Sequence, residues 1–331
     1  MTIKITSSEA AVAATPYLFG FTPTDSFVLL LCDPGTMRGS LRVDLPEEPS
    51  LSWLASIVGG VPDPAPASAI LIVYADTVPL RFAEKIIDWV MEVIRPVTDI
   101  LDLVIVHDGL VRSLFGEMKS GVLGVPLTDL ENHPVVAALV SEGLAKVANR
   151  EELVARLDPL HDDVTRQVLD LLDGEEPDVT GYEQWRALLE SRGVDLLLSD
   201  DDLQPLDVVH IGLACCDIYA RDPMLTVLLE ENRKGHDRLC RARDRLVYAI
   251  THLPDDIAGP TAATLALLSW ASGDGAAAMI AAERAILADP NNTLGPLVAD
   301  ALQHGLPPDT WLTLTQDIPM NVLRGQLRRT A

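Results

Sequence analysis

Asp25 and Ser26 stand at the entry to an apolar run, just after two aromatics that flank a glycine, in Phe19-Gly20-Phe21. A carboxylate at the mouth of a strand, with aromatic walls beside it, has the parts of a pocket lip, and Asp25 would serve there as general base or ligand. The same residues also suit a tight connector. In that reading Gly20 bends the chain, the aromatics plug a sheet edge and Asp25 caps a turn. His107-Asp108-Gly109 closes a second apolar run. Open α/β sheets bind ligands at such carboxyl ends, while Asp-Gly is also the preferred centre of a two-residue hairpin turn.

Three further constellations carry potential chemistry. Lys234, Arg238, Arg241 and Arg245 recur at intervals of four, three and four, one stripe of a helix over 233–251. Such a stripe could hold phosphate or nucleic acid, or pair with acids of its own chain. His210, Cys215, Cys216, His236 and Cys240 contain metal-ligand types, but only His236 and Cys240 share a helical spacing, so no metal is expected. Arg221-Asp222-Pro223 reads as a helix start, Asp222 the cap and Pro223 the first helical residue.

Established motifs are missing. No glycine loop ends in Gly-Lys-Ser/Thr, no Gly-x-Gly-x-x-Gly follows a strand, and neither Gly-x-Ser-x-Gly nor His-Glu-x-x-His occurs. No cofactor is therefore expected, and the question of catalysis stays open. The net charge of −24 opposes non-specific binding to nucleic acid. Residues 151–210 alone hold seventeen acidic side chains against four arginines and no lysine. That is either a solvated face or a surface that docks a basic partner. Four cysteines without a CxxC pair, no leader pattern and no apolar run of membrane length together suggest a reducing cytoplasm.

These residues need elements to hold them. Thr6-Ser7-Ser8-Glu9 has capping-box spacing and should open a helix that Pro16 interrupts. Strands are predicted at 27–32 and 40–44 around an Asp33-Pro34-Gly35-Thr36 turn, then at 69–74, 101–106 and 110–114. Helices are predicted at 50–61 and 80–94. The run 69–74 is apolar on both faces, as a central strand must be. The order αββαβαββ gives a mixed α/β domain over 1–128. From 129 to 331 strand patterns nearly vanish and the chain reads as all-helical. It ends in three Ala-rich helices over 261–307, divided by Gly273-Asp274-Gly275 and Asp289-Pro290-Asn291-Asn292.

Several of these segments together carry a resemblance. Residues 16–26 with the strand that follows, Leu41-Arg42-Val43-Asp44-Leu45-Pro46, Arg221-Asp222, and 263–307 with Trp270, Gly273-Asp274-Gly275 and Asp289-Pro290 resemble the actinobacterial and actinophage family known as domain of unknown function 4192. The resemblance covers nearly the whole chain and implies no activity and no catalytic residue. A weaker likeness, to one tetratricopeptide unit, rests on Ala278, Ala285 and Pro290. The reading that follows is a cytoplasmic interaction or regulatory protein that docks by its surface. Its partner is expected to be another protein, with self-association possible and nucleic acid or membrane not expected. The alternative is a nucleotide- or small-ligand-binding enzyme with its pocket near Asp25 and His107.

Overall fold

The computed structural model describes residues 5, 7–34, 36–58, 61, 65–115, 124–174, 181–232, 236–308, 310–315 and 318–325. The chain divides into two compact units. One comprises Met1–Glu152 with Gln303–Leu306, the other Leu153–Leu302 with Pro307–Ala331.

The first unit is built on a six-stranded mixed sheet in the order β2-β1-β3-β4-β5-β6. Its strands are β1 (Ser26–Asp33), β2 (Thr36–Asp44), β3 (Ser68–Tyr74), β4 (Asp99–His107), β5 (Leu110–Ser113) and β6 (Val125–Pro126). β1 runs antiparallel to both neighbours, with Leu29 opposite Leu41 and Leu71. β3 and β4 are parallel, joined through helix α3 (Leu80–Val93), so their carboxyl ends meet at Tyr74 and Val106. Phe27, Leu29, Leu71, Val73, Leu103 and Ile105 bury one face against α2 (Leu51–Val58) and α3. The apolar stripe of α3 and its C-cap supplies Ile86, Val90 and Ile94, each fully buried and each worth roughly 1.5–3 kcal/mol. Helix α1 (Ser8–Phe19) lies against β3, with Ala10, Ala11, Val12 and Ala14 buried.

Four local expectations change. Ser7, not Thr6, caps α1: its hydroxyl accepts the Ala10 N–H at 3.1 Å, while Thr6 lies outside the described residues. Pro16 does not interrupt α1, which runs on to Phe19 and stops only at Gly20, whose φ of 74° a side chain would resist. The strand expected at 40–44 begins at Thr36, because β1 pairs with it along its whole length; Gly35 of the predicted turn lies outside the described residues. The first unit also continues past 128 to Glu152. Helices α4 (Leu127–Leu130) and α5 (Pro134–Ser141) pack on α1, and Val147 bridges to Phe21, so the change of pattern at 124–130 falls inside one packed body.

The second unit is helical. After α6 (Arg150–Ala155), within which the division falls, come α7 (Asp163–Leu172), α8 (Tyr182–Leu198), α9 (Pro205–Cys216) and α10 (Ile218–Asn232). They are followed by α11 (His236–His252), α12 (Asp255–Ala271), α13 (Gly275–Ala288), α14 (Leu294–Gln303), α15 (Thr310–Thr315) and α16 (Met320–Leu323). Between residues 258 and 270 every side of α12 except Pro260 is buried, and its neighbours are α9, α10, α11 and α13. Small residues permit this. A Cβ on Gly259 would stand 2.8 Å from the Asp289 Cβ, and one on Gly212 would stand 2.7 Å from the Ile257 Cγ2. Pro223 is not a helix start: α10 begins five residues earlier at Ile218, where the Asp217 carboxylate accepts the Tyr219 N–H at 2.9 Å. Asp222 instead pairs with Arg221 at 2.7 Å.

Candidate functional site

Asp25 sits at φ 37°, a left-handed conformation that Asp and Asn tolerate best among residues with a side chain. This aims its carboxylate at the loop that leaves β3. Oδ1 accepts the backbone N–H groups of Asp76, Thr77 and Val78 at 2.8, 2.8 and 3.0 Å, and Oδ2 accepts the Thr77 hydroxyl at 2.6 Å. Partial burial pushes this carboxyl up, but the Thr77 hydroxyl and the three N–H donors outweigh it and hold it below the ordinary range. A carboxylate so occupied and so acidic is a poor base at neutral pH.

His107 grips the same loop from the other side. Its Nδ1 lies 2.6 Å from the Ala75 carbonyl and therefore carries the proton, while Nε2 stands 3.3 Å from Asp108 Oδ2. Asp108 and Gly109 have φ of 48° and 69°, which closes the β4–β5 hairpin in a turn with two left-handed residues. Between the two grips lies Asp76. Burial first, and then the charges of Asp25 and Asp108, push its carboxyl up, against the pull of His107.

Asp25 also borders an open cleft of about 260 Å³, lined by Phe21, Thr24, Asp25, Arg42, Asp44, Leu45, Arg150 and Glu151. Arg42 is held on three sides. Period-two alternation along β2 puts Arg42 and Asp44 on one face, and they form an ion pair. The Arg42 Nε donates to the Ser26 hydroxyl at 3.0 Å, and its guanidinium lies 5.4 Å from the Phe21 ring centroid. Burial lowers the Arg42 pKa, against the support of Asp44. With guanidinium and carboxylate groups on its walls, the cleft can hold a small polar ligand through charge-assisted hydrogen bonds.

Of the residues singled out from sequence, Phe21 and Asp25 reach this cleft. Phe19 is buried away from its lining, Ser26 supports Arg42 from below, and His107 and Asp108 stand at the β4–β5 turn. Arg42, Asp44, Arg150 and Glu151 were not anticipated as site residues, although the spacing of Arg42 and Asp44 on a strand was a usable signal.

In the second unit the basic stripe meets acids and carbonyls of its own surroundings. Arg238 pairs with Glu231 at 2.7 Å, Arg241 with Asp200 at 2.7 Å, and Arg245 donates to the Asp201 carbonyl at 2.7 Å; Lys234 lies outside the described residues. Among the described residues, no three His, Cys, Asp or Glu side chains gather as metal ligands. Cys215 is buried, and burial pushes its thiol up to about 11 despite hydrogen bonds from Thr264 and Thr261.

A third arrangement was not read from the sequence at all. Tyr182, Arg186 and Glu190 recur every four residues along one face of α8. The Arg186 guanidinium lies 4.2 Å from the Tyr182 ring centroid and 4.4 Å from that of Tyr219 on α10. Its Nε donates to Asp217 at 2.6 Å. Partial burial works against its charge, but Asp217 more than compensates and raises its pKa. Glu190, 7% exposed, takes a two-pronged bond from Arg324 at 2.8 and 2.6 Å. The i, i+4 spacing on α8 was legible; the arrival of Arg324, 134 positions later, was not.

Among the described residues no helix is long and apolar enough to cross a membrane. A family model described as domain of unknown function 4192 matches residues 9–309. No curated protein matches the chain, and no solved structure does.

Proposed function

The chain belongs to the family described as domain of unknown function 4192, and on that footing we propose that it is a protein-interaction or regulatory module that docks by its surface without catalysis. The observation that carries this reading is the state of Asp25. The best-placed candidate base is spent on four hydrogen bonds that hold a loop. The charge excess, by contrast, remains available: Asp158, Asp170, Glu183 and Asp195 of the acid-rich stretch are all exposed. A partner with basic side chains suits that surface. The four free cysteines accord with a cytoplasmic setting.

The test is capture from native lysate by the full chain and by a variant carrying Asp158→Asn, Asp170→Asn, Glu183→Gln and Asp195→Asn. The same partner should be retained by the first and lost by the second, with its loss scaling with added salt. Retention of every partner by the neutralised variant would remove the acidic surface from the argument.

A second reading, a nucleotide- or small-ligand-binding enzyme at the strand ends, is favoured by the cleft beside Asp25, where Arg42 and Arg150 could meet an anionic group. A ligand from a nucleotide and small-acid screen that raises the melting temperature, and loses that effect in Arg42→Ala, would favour this reading over docking.

A further inference from the structure

Residues 318–325 lie against the α8–α10 face as a short strap. α16 packs on α10, yet none of its four residues is buried. Met320 and Leu323 are half-buried, and no residue of the strap is fully buried. Its polar hold comes from its end. Arg324 sends two nitrogens to the two oxygens of Glu190, and Gly325 stands against the Tyr219 ring, where a Cβ would come within 2.8 Å of Cδ1. The same ring takes the Arg186 guanidinium, 4.4 Å from its centroid.

Glu190 is what makes the place selective. Its carboxylate is buried, and a buried carboxylate without a cation is costly. Both oxygens lie in reach of one planar fork, which guanidinium fills and ammonium does not. The glycine requirement next to it follows from the Tyr219 ring and from the φ of 68° at Gly325. The hydrogen bond to Glu190 raises the Arg324 pKa, the matching sign of the same fit.

We propose that the α8–α10 face is an arginine-reading groove, filled in this structure by the chain's own residues 320–325 and open to a partner protein that presents arginine followed by glycine at a helix end or in a turn. The strap is then a built-in competitor. An ion pair from an exposed arginine into a buried acid, on a strap with no fully buried residue, is the kind of contact a second arginine can exchange with. The inference builds on the docking reading by naming the partner's chemistry. Its assay addresses the groove directly, so it can fail while lysate capture succeeds, and the reverse.

The probe is a labelled synthetic peptide of residues 319–325, Pro-Met-Asn-Val-Leu-Arg-Gly, read by fluorescence anisotropy against the full chain. Arg324→Ala empties the groove and should bind the peptide at least about tenfold more tightly than the wild type, whose own strap competes. A peptide with lysine in place of the arginine should bind about tenfold more weakly, and Glu190→Gln in the Arg324→Ala background should abolish binding. Equal binding to wild type and variant, indifference to Glu190→Gln, or no binding to Arg324→Ala would each overturn the proposal. Should Arg324→Ala melt too low for the assay, Arg324→Lys keeps the charge without the fork. A rise in its melting temperature with the arginine peptide supports the groove, and no rise refutes it.

Discussion

Asp25 and His107 hold the two ends of one loop: the carboxylate takes the N–H groups of residues 76–78 while the imidazole takes the carbonyl of Ala75. Two residues whose types suggest acid–base chemistry are thus joined through the backbone at the carboxyl ends of the parallel strands β3 and β4. Their shared task is to fix where the chain leaves β3 before entering α3.

Removing the Asp25 carboxylate should therefore be a stability lesion. Asp25→Ala strands three N–H groups and puts alanine at φ 37°, which should cost about 2–4 kcal/mol. Asp25→Asn keeps an acceptor and tolerates the backbone, so its loss should be about half. Urea unfolding of the three proteins reads the difference, and equal stability of Asp25→Ala and wild type would contradict the clamp.

The same clamp has a pH signature. The folded-state pKa of Asp25 lies below the ordinary aspartate value of about 3.9. Its stabilisation is fully present above that value and disappears as pH falls through the folded pKa. Between about pH 5 and pH 2 the stability gap between wild type and Asp25→Asn should narrow. A gap that stays constant over that range would mean the charge contributes nothing.

Close approach of α12 and the α13–α14 turn is tested by glycine. Gly259→Ala drives a methyl into Asp289, including its backbone nitrogen at 3.2 Å, and should cost about 1–3 kcal/mol despite the better helix propensity. Gly275→Ala meets nothing nearer than 3.5 Å and should be neutral within about 0.5 kcal/mol. Thermal melts of both variants against wild type check the contrast.

Arg186 depends on being planar. Lysine cannot lie between the Tyr182 and Tyr219 rings and also offer an Nε to Asp217, so Arg186→Lys should lose about 1–2 kcal/mol. Wild-type stability in Arg186→Lys, measured by urea unfolding, would show that charge alone suffices.

Sheet and bundle were legible because their signals are local. The run at 69–74 is apolar on both faces and became a central strand; alternation along β2 and the 3.6-residue stripe of α3 were equally plain. Misreadings arose where a punctuating residue was outvoted. Pro16 and Pro223 each forfeit one backbone bond inside a helix, and the packing of α1 and α10 sustains the helix regardless. The cleft was half visible, since Asp25 and Phe21 stood out by type, whereas Arg150 arrives from a helix more than a hundred residues away in sequence. Pairing between Glu190 and Arg324 left no trace in spacing, because nothing periodic links side chains brought together only by tertiary folding.

The enclosure of α12 sets the order in which this protein can be made. Its wrapping comes from both directions along the chain, α9 to α11 before it and α13 after it. A ribosome that has released residues only as far as 271 presents a rod whose twelve buried positions have one flank bare, and synthesis must proceed through Ala288 before that flank is covered. Nascent chains arrested between those two points should be captured by chaperones and cut by proteases, while chains arrested a few dozen codons later escape both.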